Sequence, residues 1–148
     1  MGAKQLCLGI YEIDEEATRE AVEQYLYDAR EYKVTEYIPL DPKVTPLYEP
    51  RYHGPTNAVG SQTERIAITN VDEQERRRRH IERVEEAVSR LGAQQQKLIR
   101  MRYLDDDNVM DIEVATALGY STRHYRRIKS YAIYRLATAL GLVVLREE

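Results

Sequence analysis

Apolar residues recur at every third or fourth position through most of the chain, the period of a helix rather than a strand. From about Asp14 to Tyr32, Ile13, Ala17, Ala21, Tyr25 and Ala29 repeat at a spacing of four, and Val22, Leu26 and Tyr32 widen the stripe. Asp14, Glu15 and Glu16 open this stretch, where the positive end of a helix dipole favours carboxylates. All five prolines then fall between Pro39 and Pro55. Proline has no backbone N–H to give a helix or a central strand, so this segment reads as an extended or disordered linker.

Helical signals resume after the linker. Ser61-Gln62-Thr63-Glu64 and Asn70-Val71-Asp72-Glu73 both have capping-box spacing. Ile81, Val84, Val88 and Leu91 supply the apolar face of the helix that follows, and Gly92 ends it. Three shorter helices are predicted, roughly Ala93 to Tyr103, Val109 to Leu118 and Thr122 to Leu140. Asn108 and Ser121 are placed as N-caps of the last two, and Gly141 as the final stop. The fold class expected is all-α. Its organisation is an N-terminal acidic amphipathic helix (1–37), a Pro-rich linker (38–69) and a helical bundle (70–148).

Charge changes this picture more than composition does. The chain has 148 residues and a net charge of -3, yet residues 11–50 hold eleven carboxylates against four Lys or Arg, and residues 114–145 hold none. The sign by segment is therefore the informative quantity. No apolar run approaches the ~18 residues of a membrane span, and the first residues do not read as a signal peptide. Cys7 is the lone cysteine, which fits a reducing cytoplasm. The aromatics are twelve tyrosines, with no Trp or Phe, so any aromatic anchor carries a hydroxyl that wants a partner.

Two basic stretches compete for attention. The first, Arg76-Arg77-Arg78-Arg79-His80, could be a phosphate-binding or localisation patch. The plainer reading, a solvated face, is preferred, because Glu75/Arg79 and Arg78/Glu82 are opposite-charge pairs four residues apart. The second stretch carries the argument. Two helices joined by Gly119-Tyr120-Ser121 have the spacing of a helix-turn-helix. Ala115 is small enough for a close crossing, and Gly119 sits where the chain leaves a helix and a left-handed conformation costs little. Val114, Leu118, Tyr120, Tyr125 and Ile128 are apolar where the two helices would face each other.

At about 100° per residue, Tyr125, Ile128, Ala132 and Leu136 form one buried stripe of the last helix. Arg123, Arg127 and Ser130 lie almost opposite, with Arg126 and Lys129 to the side and Tyr134 further along the outer face. The candidate DNA-binding residues are Ser121, Thr122, Arg123, His124, Arg126, Arg127, Lys129 and Ser130. They occupy the N-terminal half of the helix that enters the major groove in this motif. Arginine is the side chain best shaped to grip guanine or phosphate, and Arg123 and Arg127 are expected at base edges, Arg126 and Lys129 at phosphates.

At these residues a resemblance emerges. "YSTRHYRRIKSYAIYRLATAL" resembles the second half of sigma factor region 4, and "LGAQQQKLIRMRYLDD" is similar to the first helix of that region. Over the whole chain the order and spacing of "IDEEATREAVEQYL", a Pro-bearing middle, "SQTERIAITNVD" and "LIRMRYL" before "YRRIKSYAIYRLATAL" resemble the ArpU family of phage transcriptional regulators. The resemblance implies a sequence-specific DNA-binding regulator of late phage or prophage genes in the cytoplasm of a bacterial host, without sigma activity. In sigma factors the positions matching Thr122, Arg123 and Arg127 face base edges. Arg123 stands where an acidic residue often occurs, which implies different preferred bases.

The partners expected are double-stranded DNA, with host RNA polymerase and a second copy of the chain as further candidates, and no membrane. No enzyme activity, metal or cofactor is expected. His53, His80 and His124 are scattered, no phosphate-binding Gly loop or nucleophile signature occurs, and Asp105-Asp106-Asp107 reads as a solvated turn. The rivals are a small terminase-like packaging protein, in which the DNA-binding unit is usually N-terminal, and a polymerase-interacting module.

Overall fold

The computed structural model describes residues 12–41 and 57–147, with the backbone alone for 57–61. Cys7, His53 and the prolines beyond Pro39 lie outside the described residues. Five helices follow in order: α1 (Glu15–Val34), α2 (Asn57–Ser89), α3 (Ala93–Ile99), α4 (Asp111–Leu118) and α5 (Thr122–Leu140). α3 runs on into a π-helical turn, Arg100–Leu104. The fold is all-α, as the apolar period requires. Among the described residues the one β-type pairing is an antiparallel bridge between Ile13 and Leu145, and no helix is long and apolar enough to cross a membrane.

Local chemistry places the helix ends. The Asp14 side chain accepts from the Ala17 N–H at 3.0 Å and so caps α1. Gln96 Nε2 donates to the carbonyls of Ser89 and Leu91, serving groups that the end of α2 leaves without a helical partner. Ser121 caps α5 by accepting from the His124 N–H at 3.2 Å, and Gly141 ends it at φ 69°. Gly119 leaves α4 at φ 70°, where a side chain would be strained.

One apolar core joins all five helices. α1 contributes Val22, Leu26 and Ala29; α2 contributes Val84, Ala87 and Val88; Leu98, Ile99 and Tyr103 come from α3 and its π turn. Val114 and Ala115 of α4 meet Tyr125, Ile128, Ala132, Ile133, Leu136, Ala137 and Leu140 of α5 in the same cluster. The tail after α5 returns to α1. The Asp14 N–H donates to the Val144 carbonyl at 2.8 Å, and the Val144 N–H donates to the buried Thr18 hydroxyl at 2.9 Å.

Three expectations give way here. The acidic N-terminal helix does not stand apart: its buried face, centred on Val22 and Leu26, packs inside the common core, and buried Arg30 reaches Asp107 at 2.8 Å. The linker predicted through residue 69 stops short, because α2 is already helical at Asn57 and runs unbroken past both capping-box sequences. Asn70 instead acts like a stray peptide group. Its Oδ1 accepts from the Leu40 N–H and the Tyr37 hydroxyl, and its Nδ2 donates to the Leu40 carbonyl, pinning residues 37–40 to the helix. Asn108 is not a cap either. It sits at φ 56°, a turn conformation asparagine tolerates, and α4 begins three residues later with Glu113 accepting from the Met110 N–H at 3.0 Å.

Candidate nucleic-acid interface

α4 and α5 meet through a turn of three residues, Gly119-Tyr120-Ser121. Tyr125, Ile128, Ala132 and Leu136 are buried along one side of α5, the stripe the spacing predicts. On its outer side Ser121, Thr122, Arg123, His124, Arg126, Arg127 and Ser130 are all exposed. His124 is less free than the rest, since its ring meets Tyr120 edge-on with centroids 4.8 Å apart, which packs the turn against the start of the helix. Further along, Tyr131 and Tyr134 stand exposed, and Arg135 donates to the Gln95 side chain at 3.1 Å.

The guanidinium groups of Arg123, Arg126 and Arg127 make no hydrogen bond or ion pair among the described residues. Acids on neighbouring turns cannot neutralise them, because the chain has none from 114 to 145. The arginines of α2 are in the opposite situation. Glu73 binds Arg76 and Arg77, and Glu75 binds Arg78 and Arg79, at 2.6–3.0 Å. Glu82 adds a second contact to Arg78. The hydrogen bonds from Arg76 and Arg77 hold the Glu73 carboxyl down at about 2.

Lys129 is the candidate that the structure sets apart. Its side chain is largely buried, and Nζ lies 3.0 and 3.1 Å from the two carboxylate oxygens of Asp111. The same carboxylate accepts from the Tyr125 hydroxyl at 2.6 Å and from Arg102 Nε at 2.9 Å. Burial works against the charge of Asp111, but the bonds from Tyr125, Lys129 and Arg102 outweigh it and hold its carboxyl below the ordinary range. Burial pushes the Tyr125 hydroxyl up, and its bond to the carboxylate pushes it further the same way, so Tyr125 stays a donor. Arg102 is in turn braced by the Tyr27 hydroxyl of α1 at 3.0 Å.

Asp111 thus ties the π turn, α4 and α5 together, and sequence reasoning passed over it. The available signal was the pair Tyr125 and Lys129, two donors one turn apart on the flank of α5 that faces the preceding helix. A groove of about 950 Å³ opens beside them, with Arg126, Ser130 and Tyr134 on one wall and Glu15 and Glu16 of α1 on the other.

The described residues are all-α, and their last two helices are joined by a three-residue turn with unpaired arginines on the second. The chain is similar to Protein Gp66 of Listeria phage A118, with 26% identity over 128 residues that span 86% of this chain and 88% of that protein. No protein-family model matches the chain. No solved structure matches it.

Proposed function

We propose that this protein is a sequence-specific DNA-binding regulator of phage or prophage late genes, which lays α5 in the major groove of double-stranded DNA. One observation carries the reading: Arg123, Arg126 and Arg127 are exposed, adjacent and without an acidic partner, on the half of α5 that a helix-turn-helix inserts. Arg123 and Arg127 point most directly away from the buried stripe and read base edges, while Arg126 serves a phosphate on one flank. The likeness to a phage protein supports the setting. The action is binding rather than catalysis, in the cytoplasm of a bacterial host. Selection of binding sites from random duplex DNA, repeated with Arg123→Ala and Arg127→Ala, tests this. A recurring sequence enriched by the native protein and lost by the variants is expected; enrichment of no sequence overturns the reading.

A contact with host RNA polymerase is the second reading, favoured by one observation. Met110 and Ile112, at the start of α4, are 63% and 71% exposed, an apolar pair that suits a protein partner. Serine at both positions should abolish co-purification with polymerase and leave DNA binding intact. Unchanged co-purification would remove this reading alone.

A further inference from the structure

Lys129 lies on the flank of α5 beside Arg126, three residues away and therefore on neighbouring turns of one face. By position it is a second phosphate-binding cation beside Arg126. By geometry it is withheld, since both its closest contacts are oxygens of Asp111. That carboxylate is itself held in place from three directions, by the Tyr125 hydroxyl, Arg102 Nε and Lys129. Arg102 is anchored in turn on Tyr27 of α1, so the carboxylate cannot follow Lys129 outward without giving up other bonds.

Resting on the DNA-binding reading above, we infer that Asp111 is a specificity-determining and positioning residue that locks Lys129 away from the phosphate backbone and fixes the rotation of α5. Two consequences follow from the chemistry. First, each phosphate-bound cation adds to affinity for every sequence alike, through the counterions it releases. Keeping one cation out of that contact lowers binding to unrelated DNA and leaves Arg123 and Arg127 with a larger share of the interaction, which widens discrimination between sites. Second, Tyr125 and Lys129 are one turn apart and bind one carboxylate. A helix pinned at two points on one flank cannot roll about its axis, and roll is the motion that would swing Arg123 and Arg127 off their bases.

The salt dependence of binding separates this role from mere support of the fold. Affinity is measured across a salt series for the native chain, Asp111→Asn, Lys129→Ala and the double variant, on a duplex selected from random DNA and on an unrelated duplex of equal length. Asparagine keeps the shape and an acceptor for Tyr125 but gives up the charge that holds Lys129. Asp111→Asn is expected to bind the unrelated duplex more tightly, to steepen the salt slope on both duplexes by about one, and to narrow discrimination by roughly tenfold. Adding Lys129→Ala to it should restore the native slope, and Lys129→Ala alone should leave the slope as it is.

A flatter slope for Lys129→Ala alone would mean that Lys129 already contacts phosphate, and would overturn the inference. That arm does not depend on how well Asp111→Asn folds. A native slope in a folded Asp111→Asn would overturn it too. A residue that only supported the fold would lower the melting temperature and weaken both duplexes, with no added slope. Absence of base preference in the native protein would instead overturn the DNA-binding reading, and the inference with it.

Discussion

Residues 76–79 and residues 123–127 are both rich in arginine, both lie on helices and both are exposed in large part, yet they differ in what surrounds each charge. In α2, Glu73, Glu75 and Glu82 stand three or four residues from the arginines and take them up one by one. In α5 no acid is within reach along the helix, and Arg123, Arg126 and Arg127 face solvent alone. Exposure does not separate the two: the Arg78 and Arg79 side chains are 59% and 72% exposed while fully engaged. A basic run becomes a candidate surface for a polyanion through the acids missing at neighbouring helical positions, not through the arginines it has. Ion pairs of this exposed kind add little to stability; their effect is to cancel the field that would draw DNA.

The strongest way to break the contrast is to remove the seat of the α5 cluster. Tyr125→Ala leaves a void between α4 and α5 and strips Asp111 of one donor. It should cost roughly 3–5 kcal/mol of stability, read as a drop in the thermal unfolding midpoint, and DNA binding should be lost with it. Next, Arg123→Ala or Arg127→Ala should each cost about 1–3 kcal/mol on the preferred site and relax the choice of base at one position. Arg78→Ala and Arg79→Ala should do neither. If the α2 variants lose as much affinity as the α5 variants, the contrast between the two stretches is wrong.

A smaller effect should come from making α2 resemble α5. Glu73→Gln with Glu75→Gln frees Arg76, Arg77 and Arg79 from their carboxylates and leaves Arg78 on Glu82, and binding to unrelated DNA should rise with a steeper salt slope; equilibrium titrations at two ionic strengths would show it. The smallest effect concerns acid. The Asp111 carboxyl is held below its ordinary value of 3.8, so its stabilising bonds are fully present above that pH and are lost as the pH falls through the depressed value. The difference in melting temperature between the native chain and Asp111→Asn should therefore be constant near neutrality and vanish once the pH has fallen through that depressed value. A difference that persists into acid would show that shape rather than charge does the holding.

Much of this was legible from spacing. The buried stripe of α5, the Ser121 cap, the Gly119 and Gly141 exits and the Glu75/Arg79 and Arg78/Glu82 pairs all depend on neighbours within about one helical turn, where a linear pattern holds the necessary information. What escaped depends on contacts distant in sequence. The carboxylate of Asp111 draws in a residue nine positions before it and two that follow 14 and 18 positions later. Asn70 looked like a helix start because its partner, the backbone of Leu40, is 30 residues away. The apolar face of α1 was visible as a face, but nothing in its own period says that it is covered by α2, α5 and the π turn of the same chain rather than by another copy.

The π turn has a consequence best put in terms of chain length. The Asp105 N–H donates to the Arg100 carbonyl, five residues back, at 2.8 Å, so the segment carries one residue more than an α-helix would need to cover the same path. With one residue fewer, the segment could close as ordinary α-helix with the parts on either side kept in their present phase, whereas a residue lost from the regular turns would rotate everything beyond it by about 100°. A deletion scan of the gene should therefore find the loss of a single codon better tolerated between Arg100 and Leu104 than in the regular turns of α3 or α5.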